Sequence, residues 1–251
     1  MFPPFDEESS LSLCKKIICG LDNLSVKMVQ LTPPSEERAG QGIMIGAAIC
    51  KDGDGKIINL CSVSGISKRL EFTDSFFSET DSEFSKDNLI FVEPVVDSEK
   101  INSALAENDK EIHELTEKIK VLKEKRKISD KKYRTITAEE EQLSSKRSQL
   151  CSESLKAVYN LYDFHCADGK IRSLNAICGK KLPPTGTGDC SAPKLLNFAF
   201  KNNYQVLSLC EVYYGKSNSS KVSGEKYPPC DQRCSLILPS MLGLEILYRD
   251  S

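Results

Sequence analysis

The feature that most constrains the fold is a heptad-bearing stretch, residues 99–160, in the middle of a 251-residue chain. Leu105, Asn108, Ile112, Leu115, Ile119 and Leu122 recur in steps of three and four, with one polar interruption at Asn108. The seam fades in KEKRKISDKKYR, and a weaker repeat runs through Ile136, Leu143 and Leu150. Three heptads are short for a dimeric coiled coil. The simplest arrangement is an antiparallel helical hairpin with the basic stretch at its tip. Residues 1–98 and 161–251 then fold together as the two halves of one α/β domain that this hairpin interrupts.

Both flanks carry α/β signals. ESSLSLCKKIICG at 8–20 reads as a short helix with Leu11, Cys14, Ile17 and Ile18 on one face. GIMIGAAIC at 42–50 and IINLCSVSG at 57–65, joined by KDGDGK, read as a β-hairpin. Residues 70–87 are acidic, with scattered phenylalanines, and read as a loop with at most one helical turn. NLIFVEPVVD at 88–97 is a short extended piece ended by Pro94. Beyond residue 160, YDFHCADGKIRSLNAICG suggests a strand, a turn and a short helix. SAPKLLNFAF is a helix with Leu195, Leu196, Ala199 and Phe200 on its apolar face, and QVLSLCEVYYG is a strand.

Net charge is -2 and uneven: -7 over residues 1–100, +1 over 101–164 and +4 over 165–251. The basic last third and the hairpin tip could meet nucleic acid, although a solvated basic face has the same composition. At the tip, Lys123, Lys125, Arg126, Lys127, Lys131 and Lys132 are the residues that could touch phosphates. The longest apolar run, 42–50, is too short to span a membrane, and the acidic amino terminus has no signal-peptide pattern. A cytoplasmic protein is expected. In a reducing compartment its eleven cysteines are buried thiols or metal ligands rather than disulfides.

Three of those cysteines stand apart. Cys190 lies in TGTGDCSAPKLLNFAF where loop gives way to helix, and Cys230 and Cys234 lie in YPPCDQRC, four residues apart, so both can face one side of a helical turn. Three thiolates suit a tetrahedral zinc site, with water, Cys166, His165 or Cys210 as the fourth group. Spacing alone leaves a second reading open, three ordinary buried cysteines.

The order of elements is similar to the zinc-dependent cytidine deaminase fold. There the first ligand comes from (H/C)-x-E, the other two from P-C-x-x-C, and the glutamate moves protons. Here Ala192 stands in the glutamate's place, and Pro229-Cys230-Asp231-Gln232-Arg233-Cys234 has one residue more. The resemblance therefore implies a deaminase-like mixed sheet with a structural metal and lost deamination chemistry.

A closer resemblance is to the N-terminal extension of large bacterial RluA-type RNA pseudouridine synthases. It is carried by GTGDCSAPKLLNFAF, by the strand ending at Glu211–Gly215, and by YPPCDQRCSLILPSML. FVEPVVD and the terminal LEILYRDS fit the same region. The resemblance implies association with uridine isomerisation in structured RNA, rRNA or tRNA, with no membrane or DNA partner. The family's catalytic aspartate sits in an His-Arg-Leu-Asp motif. The two histidines here, His113 and His165, are followed by Glu114 and Cys166. The expectation is a non-catalytic module ending where the catalytic domain would begin. The alternatives are a divergent zinc-dependent deaminase and a protein-interaction module without an RNA role. Gly186-Thr187-Gly188 with Lys194 is not a phosphate-binding loop, because Lys194 follows no glycine and precedes no Ser or Thr.

Overall fold

A computed structural model describes residues 5–31, 42–78, 84–128, 133–179 and 181–244. The chain divides into two compact units, Met1–Val95 with Asp163–Ser251, and Val96–Tyr162.

The first unit is built on a four-stranded mixed sheet. Its strands are β2 (Ile43–Lys51), β3 (Ile57–Val63), β5 (Leu89–Phe91) and β8 (Gln205–Tyr214), in the order β5-β3-β2-β8. β2 is antiparallel to both β3 and β8, and β5 joins β3 in parallel. Asp52 closes the β2–β3 turn, its side chain accepting the backbone N–H groups of Asp54 and Lys56 at 3.0 and 2.8 Å. β2 is buried along almost its whole length, as a strand covered on both faces must be. Ile43, Ile45, Ala47 and Ile49 face α1 (Glu8–Asp22) and pack with Leu13, Cys14 and Ile17. On the opposite face α6 (Ser191–Lys201) lies against Gly46, with Ala192, Leu195, Leu196 and Ala199 fully buried.

The stretch expected as loop at 70–87 holds more structure. β1 (Val26–Gln30) pairs antiparallel with β4 (Lys68–Phe72) in a separate two-stranded sheet, and α2 (Asp74–Ser78) follows. Phe72, Phe76 and Phe77 form an aromatic cluster with ring centroids 5.0 to 6.1 Å apart. That packing gives the polar segment its fixed path. β6 (Asp163–His165) and β7 (Ile171–Ser173) form a small hairpin leading into α5 (Leu174–Cys178), and α7 (Cys234–Met241) closes the described residues.

The second unit is a helical hairpin, α3 (Ser98–Ile128) and α4 (Tyr133–Tyr159). Asn108 meets Ser154, Glu111 meets Lys146 and Arg126 meets Glu140, so the helices run antiparallel. Leu115, Ile119, Leu122 and Ile136 are buried in the seam, while Leu105 and Ile112 are half-buried. No helix among the described residues is long and apolar enough to cross a membrane.

Candidate metal centre

Cys190 is delivered by a tight turn. Thr187 donates its hydroxyl to the Pro184 carbonyl at 2.7 Å, Asp189 N–H donates to Gly186, and Gly65 N–H donates to Asp189 at 2.8 Å. Gly186 has φ +79, and a Cβ there would lie 3.1 Å from Nη1 of Arg233, so glycine answers both the backbone angle and the close approach. Cys190 is the N-cap residue of α6 yet makes no side-chain capping bond. Its sulfur is turned towards Cys230 and Cys234 instead.

The other two thiols come from the segment after β8. Val212 pairs with Lys226, and Tyr227 N–H donates to the Glu211 carbonyl at 3.0 Å, so the backbone runs along β8 before turning. Cys234 opens α7, and its N–H donates to the Cys230 sulfur at 3.5 Å. The ligand atoms of Cys190, Cys230 and Cys234 all lie within 4.8 Å of one another. Zn–S bonds of about 2.3 Å set tetrahedral sulfurs about 3.8 Å apart, so small side-chain shifts suffice for this set to hold the ion. Cys166, His165 and Cys210 do not join the cluster. Cys166 donates to the Phe164 carbonyl, the backbone N–H of His165 donates to Asn197 Oδ1, and Cys210 lies on the α1 face of the sheet with Cys14.

The three thiols behave as one polyprotic acid. Hydrogen bonding to Cys230 pushes Cys190 up to about 12. Bonds from Cys190 and Cys234 hold Cys230 far below the ordinary thiol range, and the same contacts push Cys234 far above it. Proton sharing among the three sulfurs thus sets the acidity of each. A divalent cation that replaces those protons relieves the repulsion among three thiolates. Arg233 stands beside them. Burial opposes its charge, but the sulfurs of Cys190, Cys230 and Cys234 overcome that and hold it as a cation. The eleven cysteines are all free thiols, and burial alone raises Cys50 to about 12.

Two buried charges flank the cluster, and sequence reading missed both. Glu211 accepts the N–H of Ala192 at 3.1 Å, and Ser191 N–H supports it. Burial raises its carboxyl to about 7, against the pull of those donors. Lys194 donates to the Val63 carbonyl at 2.7 Å and to that of Gly65, tying α6 to the end of β3. Burial lowers its ammonium to about 8. The signal for Glu211 was available, as the lone charged residue in the otherwise apolar run VLSLCEVYY.

The sequence-nominated cations Lys123, Lys125, Arg126 and Lys127 lie in the last turns of α3. Lys131 and Lys132 lie outside the described residues. Lys127 pairs with Glu124, and Arg126 reaches Glu140 on α4 at 2.9 Å.

No family model, curated protein or solved structure matches the chain.

Proposed function

We propose that this chain is a zinc-bearing, non-catalytic module of an RNA-modifying protein of the RluA-type pseudouridine synthase class. Cys190, Cys230 and Cys234 hold the metal, and the hairpin contributes cations towards structured RNA. The observation that carries the metal assignment is the convergence of three sulfurs, within 4.8 Å, from two segments about forty residues apart. A bound zinc ion supplies a cross-link between the start of α6 and the start of α7. Arg233 offsets the anionic charge of three thiolates. The element order, with a thiol at the first turn of each of two helices flanking β8, supports the deaminase-like description of the sheet.

No His-Arg-Leu-Asp sequence occurs in the 251 residues, so uridine isomerisation would be carried by groups outside them. Metal analysis of purified protein, together with binding to a structured rRNA or tRNA fragment, tests the proposal. Zinc with salt-sensitive RNA binding supports it. Metal-free protein of unchanged thermal stability in chelator contradicts the metal assignment, and zinc-loaded protein that ignores RNA contradicts the RNA role.

One observation favours a second reading, a hydrolytic centre of deaminase type. Glu211 places a buried carboxyl at the start of α6, where Ala192 offers none. Release of ammonia from nucleosides or RNA, abolished in Glu211→Gln, would establish it.

A further inference from the structure

The hairpin carries a concave site that the basic stretch alone does not define. A cavity of about 390 Å³ opens between α3 and α4, with Ile119 and Thr116 among its lining residues and Lys120, Lys123, Arg126, Lys127 and Arg147 around them. Five cations and one acidic residue, Glu124, line it, and Glu117 and Glu140 beyond the lining pair with Lys120 and Arg126. That volume is within the range of ordinary ligand sites. Lys125 belongs to the same sequence run but does not line the cavity, whereas Lys120 and Arg147 lie outside that run and do.

Two details separate this site from a scatter of solvated lysines. First, Arg126 is held. Its guanidinium reaches Glu140, a carboxylate 9% exposed on the facing helix, so the fork is oriented before any ligand arrives. Second, three of the five lining cations are ion-paired, Lys120 with Glu117, Arg126 with Glu140 and Lys127 with Glu124, whereas Lys123 and Arg147 have no ion-pair partner among the described residues. Lys146 is likewise taken by Glu111. Two lining cations, one from each helix, are thus left without an ion pair. Lys120, Lys123 and Lys127 follow the i, i+3, i+7 spacing of a single helix face. They span about 10 Å of axis, the length of about three nucleotides of one strand.

The geometry points to this groove as a binding site for the phosphodiester backbone of structured RNA, with Lys123 and Arg147 as its principal phosphate contacts and Arg126 as a pre-oriented third. The inference rests on the RNA-module reading and narrows it to one face of the hairpin. Contacts of this kind give affinity without base preference. They fit a module that positions RNA rather than one that selects a sequence.

The test uses the full chain and a labelled stem-loop RNA, with binding measured across a salt series. Wild-type protein is compared with Lys123→Ala/Arg147→Ala and with Lys110→Ala/Lys156→Ala. The second pair removes the same charge from exposed positions outside the groove. The groove variant is expected to bind about tenfold more weakly or worse, and the slope of log K against log salt to become shallower by about 1.5 to 2. The control variant should stay within about twofold of wild type. Equal losses in both variants would overturn the groove, leaving diffuse attraction to RNA. Unchanged binding in the groove variant would overturn it while the RNA-module reading stands. If folded, metal-loaded wild type shows no RNA binding, both fall together. Helical circular dichroism of each variant excludes unfolding as the cause.

Discussion

The carboxylate of Glu211 on β8 accepts the N–H of Ala192 at 3.1 Å, capping the helix whose own N-cap residue, Cys190, has given its side chain to the thiol cluster. An N-cap residue ordinarily satisfies the first free N–H groups of its own helix. Here that duty passes to a strand residue, and the sulfur is left to join the thiol cluster. The cap therefore ties the sheet to the cluster.

That cap is pH-dependent. Glu211 is raised to about 7 in the fold from 4.5, so it contributes stability that is fully present below about 4.5 and is lost as pH rises through about 7. The expected loss is on the order of 3 kcal/mol. Glu211→Gln keeps an acceptor and cannot ionise, so its stability should be flatter between pH 5 and 8. Denaturant titrations of both proteins at equal metal content check this, and parallel pH profiles would contradict it.

Gly46 sits opposite Glu211 in the β2–β8 register, where the start of α6 presses closest to the sheet. A Cβ there would lie 2.5 Å from the Ser191 Cβ and 3.1 Å from Leu195. Gly46→Val should cost about 2 kcal/mol or more by overpacking. It should also weaken metal retention, because it pushes the Cys190 end of α6 outward. A variant with wild-type stability and metal affinity would show that α6 is free to shift.

In the hairpin, Asn108 Nδ2 donates to the Ser154 hydroxyl at 3.2 Å, a polar pair inside an apolar seam. Ser154→Ala alone leaves Asn108 short of its partner and should cost about 1 to 2 kcal/mol. Asn108→Leu/Ser154→Ala should recover that stability while relaxing the register, since a single polar layer specifies alignment rather than strength. Urea melts report the first effect, and disulfide trapping between engineered cysteines across the seam reports the second.

Much of this architecture was written in local signals. The β2–β3 hairpin showed through Asp52 and the glycines beside it, α1 through its apolar spacing, and the hairpin unit through its heptads. β1 and β4 were not visible, because VKMVQ and KRLEF are half polar and find each other across about forty residues. The cluster itself was legible as three thiols at element boundaries. Its flanking charges were not, because they depend on which sheet face a side chain takes. Along β8, Cys210 turns to the α1 face, and its neighbour Glu211 turns to α6. Lys194 was equally hidden. A lysine on the buried face of α6 makes sense only once the carbonyls of Val63 and Gly65 are seen to meet it.

The metal centre is the claim on which the rest depends, and metal analysis of the purified chain tests it most directly. Wild-type protein should carry about one zinc per chain, and Cys190→Ser and Cys234→Ser should each lose most of it. Cys178→Ser, outside the cluster, should retain it. Chelation should lower the melting temperature of wild type, because an ion bound only to the fold stabilises it by mass action. Protein that holds no metal after supplementation, and that melts alike with and without chelator, would show the three sulfurs to be ordinary buried thiols.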